Sequence, residues 1–345
     1  MDHVGLDCDG HCGGSRGLRS PSKGKFKSQS PKRLISMSDK MRPGDLVEVK
    51  SPREIQESLD NNGTLNGLPF MPEMLPFCSK RFRVSLRAVK TCYYGESSGI
   101  RRFPSEDVVL LEGVRCSGAD HDGCQKACRI FWKESWLRRV EDASAPLARE
   151  DGNDDLRATL KTVSGPDKYF CQSSEILRST VELSRWDRIT KCFEDIRYNN
   201  CGVFEMLRRI GVWSYWKARR VLFGPFGRGS GSTTPSQTLR LEPGDLVEVK
   251  SMDSIRQTLD ERAYNRGLLF TPSMKNLCGQ QRKVERKIEK IIVDGTGVMR
   301  TLRNTVYLEG ELCECSCVAF GGCPRGEFSY WREIWLQRSE KAGGQ

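Results

Sequence analysis

The chain has 345 residues, of which 37% are hydrophobic and 29% are charged. This balance is typical of a soluble protein, and the length allows two domains that each bury a core. No apolar run approaches the eighteen or so residues of a membrane span, which argues against an integral membrane protein. The first residues, Met1-Asp2-His3, lack the basic start and apolar stretch of a signal peptide, so we expect a cytoplasmic protein.

The net charge of +11 is concentrated at one end of the sequence. Residues 1–42 hold nine Lys/Arg against four Asp/Glu, whereas the remaining segments are nearly balanced. The Ser-, Gly- and Lys-rich residues 1–40 are predicted to form a disordered basic tail. Such a tail either steers the chain to nucleic acid or another anionic surface, or is only a solvated end. The second interpretation is the more common one.

One segment of the sequence occurs twice. Residues 43–51 read PGDLVEVKS and return unchanged as residues 243–251, and the two copies continue in register at an offset of 200. Eighteen of the thirty-six residues from 43 to 78 are identical in the second copy. The sequence therefore predicts one folding unit carried twice, at residues 41–140 and 241–340.

Each copy begins with a predicted turn, strand and helix start. In the first copy a Pro-Gly turn precedes a strand at residues 45–50, and the Ser-Pro-Arg-Glu motif at residues 51–54 is typical of a capped helix. Further strands are predicted at residues 81–92 and 107–111, and a tryptophan-bearing segment closes the copy at residues 131–137. The pattern predicts a mainly β fold containing two small, partly open SH3-like barrels.

The sequence between the two copies differs in character. We predict a linker at residues 141–167, a helical middle region at 168–223, a flexible linker at 224–240 and a short tail at 341–345. Residues 203–221 are predicted to form an amphipathic basic helix. Three functions are consistent with such a helix: docking between the barrels, contact with a membrane surface, or insertion into a groove of a partner. Docking is expected, because the apolar face of a helix usually packs on its own protein.

The fifteen cysteines point to metal binding rather than to disulfides, because a chain without an export signal is expected in a reducing compartment. Cys116, His121, Cys124 and Cys128 form a C-x4-H-x2-C-x3-C run in a Gly-containing loop. Three thiolates and one imidazole at short spacings are the ligands of a tetrahedral zinc site. Cys78 and Cys92 lie upstream, and either is an alternative metal ligand in place of one of these four residues.

Two other interpretations of this cluster stay open. An iron–sulfur cluster suits the ligands, although the spacing matches no common ferredoxin pattern. Reduced cysteines also occur as small apolar core residues. The second copy departs from this pattern and offers Cys278, Cys313, Cys315 and Cys323, of which Cys278 matches Cys78 and Cys323 matches Cys124. Because a C-x-C-x-C run does not easily bring three thiolates to one ion, this second site is the weaker prediction.

The sequence contains no strong signature of an enzyme. No G-x-S-x-G motif, P-loop or dinucleotide fingerprint is present, and the predicted metal ligand His121 is the only histidine of either copy. Glu134 and Glu333 stand beside tryptophans in both copies, and we expect them to accept hydrogen bonds rather than to act as acid or base. A zinc-dependent enzyme with an unknown substrate remains an alternative.

Basic residues at 80–90 and 282–290 offer a second alternative. They occupy the same place in each copy, where we predict basic strand edges that meet nucleic acid or another anionic surface. Lysines on edge strands also serve only to prevent aggregation. A protein partner is the leading expectation for this chain.

Several motifs together resemble one family of bacterial proteins, and the resemblance covers residues 43 to about 338. The motifs are Gly67–Met74, Lys90–Cys92, Cys124–Gln125, Phe131–Glu134, Cys171–Gln172, Arg185–Asp187 and Tyr330–Leu336. Members of this uncharacterised family are similar in carrying two PGDLVEVKS-type domains with Cys-rich loops. The resemblance implies no established activity, only an association with genes of polysaccharide biosynthesis. The sequence as a whole predicts a non-catalytic, metal-stabilised binding or scaffold protein.

Overall fold

The computed structural model describes residues 40–94, 98–141, 153–224, 226–229, 234–313, 315–317 and 319–339. Strand residues outnumber helical residues, at 29% against 26%, so the fold is mainly β. The strands form several small antiparallel sheets, one of which curves into a half-barrel. The predicted tails at residues 1–40, apart from Lys40, and 341–345 lie outside the described residues.

The first copy is built around a five-stranded antiparallel sheet. Its elements are β1 (Leu46–Val49), α1 (Pro52–Gln56), β2 (Thr64–Leu65), β3 (Leu68–Pro69), β4 (Arg81–Arg87), β5 (Thr91–Tyr94), β6 (Ser98–Arg102), β7 (Val108–Arg115), β8 (Arg129–Lys133) and β9 (Leu137–Arg139), with 3₁₀ helices at Pro72–Phe77 and Glu134–Trp136. The strand order is β8-β7-β4-β1-β9. The predicted strand at residues 81–92 is thus divided into β4 and β5.

The segment between the copies combines short strands with two longer helices. Its elements are α2 (Asn153–Thr159), β10 (Val163–Gly165), β11 (Lys168–Tyr169), α3 (Ile176–Ser179), β12 (Val181–Glu182), α4 (Arg185–Arg197) and α5 (Val203–Phe223). Strand β12 pairs with β6 of the first copy, so this segment is joined to that copy by backbone hydrogen bonds. Ser184 and Asp187 form a capping box that fixes the start of α4.

The second copy repeats the strand order of the first. Its elements are β13 (Leu246–Val249), α6 (Met252–Arg256), β14 (Tyr264–Asn265), β15 (Leu268–Leu269), β16 (Gln281–Lys287), β17 (Lys290–Ile292), β18 (Met299–Thr301), β19 (Thr305–Leu308), β20 (Trp331–Arg332) and β21 (Leu336–Arg338), with 3₁₀ helices at Pro272–Leu277 and Glu333–Trp335. The order β20-β19-β16-β13-β21 corresponds strand for strand to the first sheet.

Local signals explain why both copies start in the same way. The predicted capping box at Ser51 and Glu54 is confirmed, because each residue bonds the backbone N–H of the other. The second copy keeps the Ser251 cap but has Ser254 in place of the glutamate. In both copies the alternate valines of the first strand are buried in the core.

The closing tryptophans of both copies occupy the same place in their cores. Trp136 and Trp335 are fully buried. The indole N–H of Trp136 donates to Ser58 Oγ, and that of Trp335 donates to Thr258 Oγ1, both at 3.1 Å. Each buried donor is therefore satisfied within its own copy.

The prediction of basic strand edges is wrong. Strand β4 lies between β7 and β1, and β16 lies between β19 and β13, so each basic strand is the middle strand of its sheet. The reason is that β1 and β7 pair with the two sides of β4, and β13 and β19 pair with the two sides of β16, so neither basic strand has a free edge. Among the described residues, no helix is long and apolar enough to cross a bilayer.

Candidate metal centre

Three buried cysteines from distant parts of the chain meet in one cluster. Cys92 lies on β5, whereas Cys315 and Cys323 lie in the loop between β19 and β20. Their sulfur atoms all lie within 4.8 Å of one another, and none of the three residues is more than 5% exposed. A tetrahedral zinc–thiolate site with Zn–S distances of about 2.3 Å needs sulfur atoms roughly 3.8 Å apart. The cluster therefore lies close enough to hold a metal ion.

Backbone N–H groups point at one of these sulfur atoms. The N–H of Cys92 donates to Cys323 Sγ at 3.2 Å, and the N–H of Arg325 donates to the same sulfur at 3.4 Å. Hydrogen bonds of this kind favour a thiolate over a thiol, and the thiolate is the form that binds metal. Cys315 has a φ of +54°, a left-handed conformation that side chains other than glycine rarely adopt. Such strain is often found at functional sites.

A fourth cysteine stands beside the three. Cys313 Sγ lies 3.3 Å from Cys315 Sγ, and it accepts a hydrogen bond of 3.3 Å from the N–H of Cys315. The hydroxyl of Tyr94 lies 3.1 Å from Cys315 Sγ. Cys313 is half-buried, so it stands at the outer side of the cluster. Three sulfur atoms thus share one place, and Cys313 contacts only one of them closely, whereas a structural zinc site uses four ligands.

Positive charge next to the cluster favours the ionised form of one cysteine. Burial raises the pKa of Cys323, but hydrogen bonds from Cys315 and Cys92, the N–H of Arg325 and its guanidinium together hold the pKa well below its usual range. Arg325 is itself buried, and its Nη1 donates to the carbonyl of Cys92 at 2.8 Å. The guanidinium thereby holds the strand that carries Cys92 next to the loop that carries Cys323.

A buried ionic cluster continues from Arg325. Asp294 accepts hydrogen bonds from Arg325 at 2.7 and 2.9 Å and is paired with Lys126 of the first copy. Glu327 lies 2.8 Å from Arg325 and 3.5 Å from Lys126, so two cations face two carboxylates. Ser173, from the segment between the copies, also donates to Asp294. The cluster therefore joins all three parts of the described chain beside the cysteines.

The predicted ligands of the first copy surround a different feature. Cys116, His121, Cys124 and Cys128 all line a cavity of about 30 Å³, together with Cys171. Among the described residues, the sulfur and nitrogen atoms of these five do not form a group close enough to share an ion. Metal binding by this loop stays a prediction.

Both ring nitrogens of His121 already have partners. Nδ1 lies 2.5 Å from Glu73 Oε1, and Nε2 lies 2.9 Å from the carbonyl oxygen of Phe170. Burial lowers the pKa of His121, but the hydrogen bond and charge of Glu73 outweigh it and raise the pKa above its ordinary value. The imidazole is therefore positioned as a protonated partner of a carboxylate, which leaves neither nitrogen directed at a metal.

The remaining predicted ligands are separated from the three-cysteine cluster. Cys78 belongs to the apolar core of the first copy, and Cys278 packs against the core of the second. Cys92, Cys315 and Cys323 are all among the predicted ligands, but the sequence pattern assigns them to two separate sites. No sequence signal pairs Cys92 with the second copy, because that pairing depends on how the copies pack.

The two glutamates that stand beside tryptophans hold the segments that precede each sheet. Glu134 Oε1 accepts hydrogen bonds from the N–H of Met41 at 2.7 Å and from Arg87 at 2.5 Å. Glu333 Oε2 accepts a bond of 3.1 Å from the N–H of Arg240. The expected hydrogen-bonding role is confirmed.

The basic residues at 80–90 are largely engaged within the chain. Arg81 lies 3.2 Å from Glu48, and Lys90 is buried 3.0 Å from Asp195. At 282–290 the corresponding residues are also paired: Arg282 with Glu311, Lys287 with Glu242 and Lys290 with Asp122. These pairs neutralise much of the charge that the nucleic-acid alternative requires.

The helical hairpin formed by α4 and α5 exposes several large apolar side chains. The inner side of α5 packs on the rest of the chain through Met206, Trp213 and Trp216, and the ring centroid of Trp213 lies 5.1 Å from that of Phe320. Large apolar side chains elsewhere on the hairpin are exposed. This exposed set, called the outer face below, comprises Trp186, Ile189, Phe193, Phe204, Leu207, Tyr215, Val221, Leu222 and Phe223.

No protein-family model, curated protein or solved structure matches this chain.

Proposed function

We propose that this chain is a non-catalytic scaffold protein, in which a zinc ion fastens two SH3-like units together. Cys92, Cys315 and Cys323 bind the ion, and Cys313, which contacts Cys315, turns toward it as the fourth ligand. The three-cysteine cluster carries the proposal, because its buried sulfur atoms come from both copies of the repeated sequence. Matching strand orders in the two copies support the two-unit architecture. The resemblance to two-domain bacterial proteins with Cys-rich loops is consistent with it.

The chemistry of the donor set favours zinc. Soft thiolate ligands select Zn²⁺, Cu⁺ or iron–sulfur clusters, and four of them in a closed, buried site are typical of structural zinc. The guanidinium of Arg325 supplies positive charge beside a centre that would carry a net charge of about −2, and Tyr94 and the N–H of Arg325 contact its sulfur atoms. Such surrounding groups orient and stabilise metal-bound thiolates.

A zinc ion at this place would act on the arrangement of the two copies. Cys92 is more than 200 residues from the other three cysteines, so one ion closes a long loop of chain. Metal affinity of this kind adds directly to the stability of the folded form, because the unfolded chain holds no preformed site. The proposal therefore assigns the ion a structural role, with binding to partners left to the surfaces of the scaffold.

Elemental analysis of protein purified under reducing conditions tests the metal directly. We expect about one zinc per chain in the wild type and well under half that amount in Cys92→Ser and in Cys323→Ser. Cys201→Ser is the matched control, because Cys201 is a half-buried cysteine outside the cluster. Chelation should also increase hydrogen exchange in residues 90–94, 315–317 and 319–325, which contain the three proposed buried ligands.

Three outcomes would contradict this assignment. Metal-free protein with alkylatable thiols would mean that the cluster is a set of reduced core cysteines. Visible absorbance with iron and sulfide would replace zinc by an iron–sulfur cluster. Loss of metal from Cys116→Ser, with full retention in Cys92→Ser, would move the ion to the first-copy loop that the sequence predicted.

A second candidate function follows from the outer face of the α4–α5 hairpin. Phe204 is 89% exposed and Leu222 is 72% exposed, and both lie on a helix of about 31 Å. Residues 185–223 contain nine Lys/Arg against four Asp/Glu, so the hairpin is basic overall, with Lys191 buried and Arg208 and Arg209 paired with Glu205. Exposed aromatic and aliphatic groups flanked by cations are typical of helices that lie on an anionic lipid surface. We therefore propose that this face binds anionic membranes.

Vesicle co-sedimentation tests the membrane candidate. We expect binding to vesicles that contain phosphatidylglycerol, little binding to pure phosphatidylcholine, and at least a tenfold loss in the double variant Phe204→Ser, Leu222→Ser. Val163→Ser is the control, because Val163 is 58% exposed but lies away from the hairpin. Absence of binding at low salt, or unchanged binding of the double variant, would refute the candidate. A stable dimer that hides this face would refute it as well.

A further inference from the structure

A polar cleft in the second copy is lined by three arginines. It has a volume of about 260 Å³ and is formed by Ser236, Gln237, Thr238, Asn265, Arg266, Arg303, Asn304, Arg332 and Ile334. None of these described lining residues is acidic. Arg332 is buried, whereas Arg266 and Arg303 are exposed at the rim. Neither rim arginine forms an ion pair with a described residue, so the charge of the cleft is not compensated.

The corresponding place in the first copy can be identified from the strand register. Val108 pairs with Lys133 between β7 and β8, and Thr305 pairs with Arg332 between β19 and β20. Lys133 and Arg332 each follow the buried tryptophan of their strand. They are therefore equivalent residues in the two copies.

The two copies differ in charge at this place. Asp107 and Asn304 are equivalent, because the carbonyl of each accepts a 2.8 Å bond from the first residue of its closing 3₁₀ helix. In the first copy Lys133 Nζ lies 2.8 Å from Asp107 Oδ1, so the cation is neutralised. The second copy has the uncharged amide of Asn304 there, and it has Arg303 where the first copy has Glu106. The second copy thus has one cation in common with the first, lacks both carboxylates, and has a further cation at Arg303.

Hydrogen bonds hold the guanidinium of Arg332 in place, but not all of its N–H groups have an acceptor among the described residues. Its Nη1 donates to the carbonyl of Arg303 at 2.7 Å and to Thr305 Oγ1 at 2.9 Å, and its Nη2 donates to the carbonyl of Arg266 at 2.8 Å. The buried Nε has no acceptor among the described residues. An unmet buried donor is costly, and a fixed guanidinium with spare N–H groups is preorganised for an oxygen ligand.

Nearby charges add to the electropositive character of the cleft. Burial and the positive charge of Arg266 lower the pKa of Arg332 to about 10, and among the described residues no carboxylate offsets them. Lys250 donates to Gln237 and to the carbonyl of Ile334, both of which line the cleft, so a further cation lies next to it. An anion placed here would relieve the repulsion between these groups.

We propose that this cleft is a binding site for an oxyanion, the phosphate or carboxylate group of a small molecule. Arg332 at the floor and the two rim arginines hold the charged oxygens, since planar guanidinium groups match these anions in geometry. The site belongs to the second copy alone and does not depend on the metal centre or on the helical hairpin.

Calorimetric titration with inorganic phosphate and with glucuronate tests the proposal and distinguishes the two ligand types. We expect saturable binding of at least one of them by the wild type. Arg303→Gln should weaken it at least tenfold, because one charged contact is lost. Asn304→Asp should do the same, because it restores the carboxylate of the first copy beside Arg332. Arg256→Gln, an exposed arginine on α6 of the same copy, should leave the affinity unchanged.

Two results would overturn the proposal. The first is no heat of binding with either anion up to about 10 mM, a range that covers even weak sites. The second is unchanged affinity in Arg303→Gln and in Asn304→Asp when both variants show wild-type circular dichroism. Because Arg303 and Asn304 are at the surface or half-buried, neither substitution should prevent folding.

Discussion

Replacing Asp294 by asparagine should destabilise the protein strongly. Asp294 is completely buried, and it is the shared acceptor for Arg325 and Lys126. The asparagine keeps the shape of the side chain but leaves two buried cations facing the single carboxylate of Glu327. Breaking a buried ion pair on one side typically costs about 3–5 kcal/mol. This is a large share of the roughly 5–15 kcal/mol by which proteins are stable.

The direction of the pH dependence gives a second check on the same residue. Burial raises the pKa of Asp294, but Arg325 and Lys126 outweigh it and hold the pKa well below its ordinary value. The stabilisation by a carboxylate with a depressed pKa is present above its unfolded pKa of about 3.9 and is lost as the pH falls through the folded value. The difference between wild type and Asp294→Asn should therefore persist from pH 7 to about pH 4 and shrink below it.

Urea denaturation followed by tryptophan fluorescence measures the effect. Asp253→Asn is the matched control, because Asp253 pairs with Arg256 at the surface, where an ion pair contributes about 1 kcal/mol or less. A loss below about 1 kcal/mol in Asp294→Asn, equal to that of the control, would refute the reasoning. It would mean that the buried charges find other partners when the carboxylate is removed.

Three further predictions concern individual contacts. Ser58→Ala and Thr258→Val each remove the acceptor of a buried indole N–H, so each should lower the unfolding free energy by about 1–3 kcal/mol in urea denaturation. Unequal losses would contradict the equivalence of the two copies. Because the pKa of His121 is raised, its ion pair with Glu73 stabilises the fold below pH 6.5 and is lost as the pH rises through the folded pKa. The difference in unfolding free energy between wild type and His121→Gln should therefore narrow with rising pH, and a widening difference would indicate a neutral, metal-bound imidazole. Gly118→Ala should lower the unfolding free energy by about 1–3 kcal/mol more than Gly113→Ala, as measured by thermal melting. Both glycines have a φ of +69°, but only at Gly118 would a Cβ lie 2.0 Å from a backbone oxygen, so equal losses would refute the clash.

Local sequence signals were reliable where folding is decided over a few residues. The capping box at Ser51 and Glu54 and the strand that precedes it are present as predicted, because each depends on neighbours within one turn or one strand. The hydrogen-bonding role of Glu134 and Glu333 was also predictable from their shared position beside the tryptophans.

The sheet position of the basic strands was not predictable in the same way. Sequence patterns indicate a strand but not its neighbours. The pairing of β4 with both β1 and β7, and of β16 with both β13 and β19, makes the two basic strands central. The same limitation applies to the cleft around Arg332. Its charge difference from the first copy becomes visible only when the strand register identifies Lys133 as its equivalent.

The sequence by itself determined the duplication, the mainly β character and the residues that are able to bind a metal. Only the tertiary structure decided which of them meet: Cys92 joins Cys315 and Cys323, more than 200 residues away, while His121 pairs with Glu73. The physical reason is that ligand spacing along a chain reports only local loops. The three cysteines come from distant parts of the chain, so their meeting depends on how those parts pack and pair their charges. Beside the cysteines, the ionic cluster around Asp294 provides that pairing.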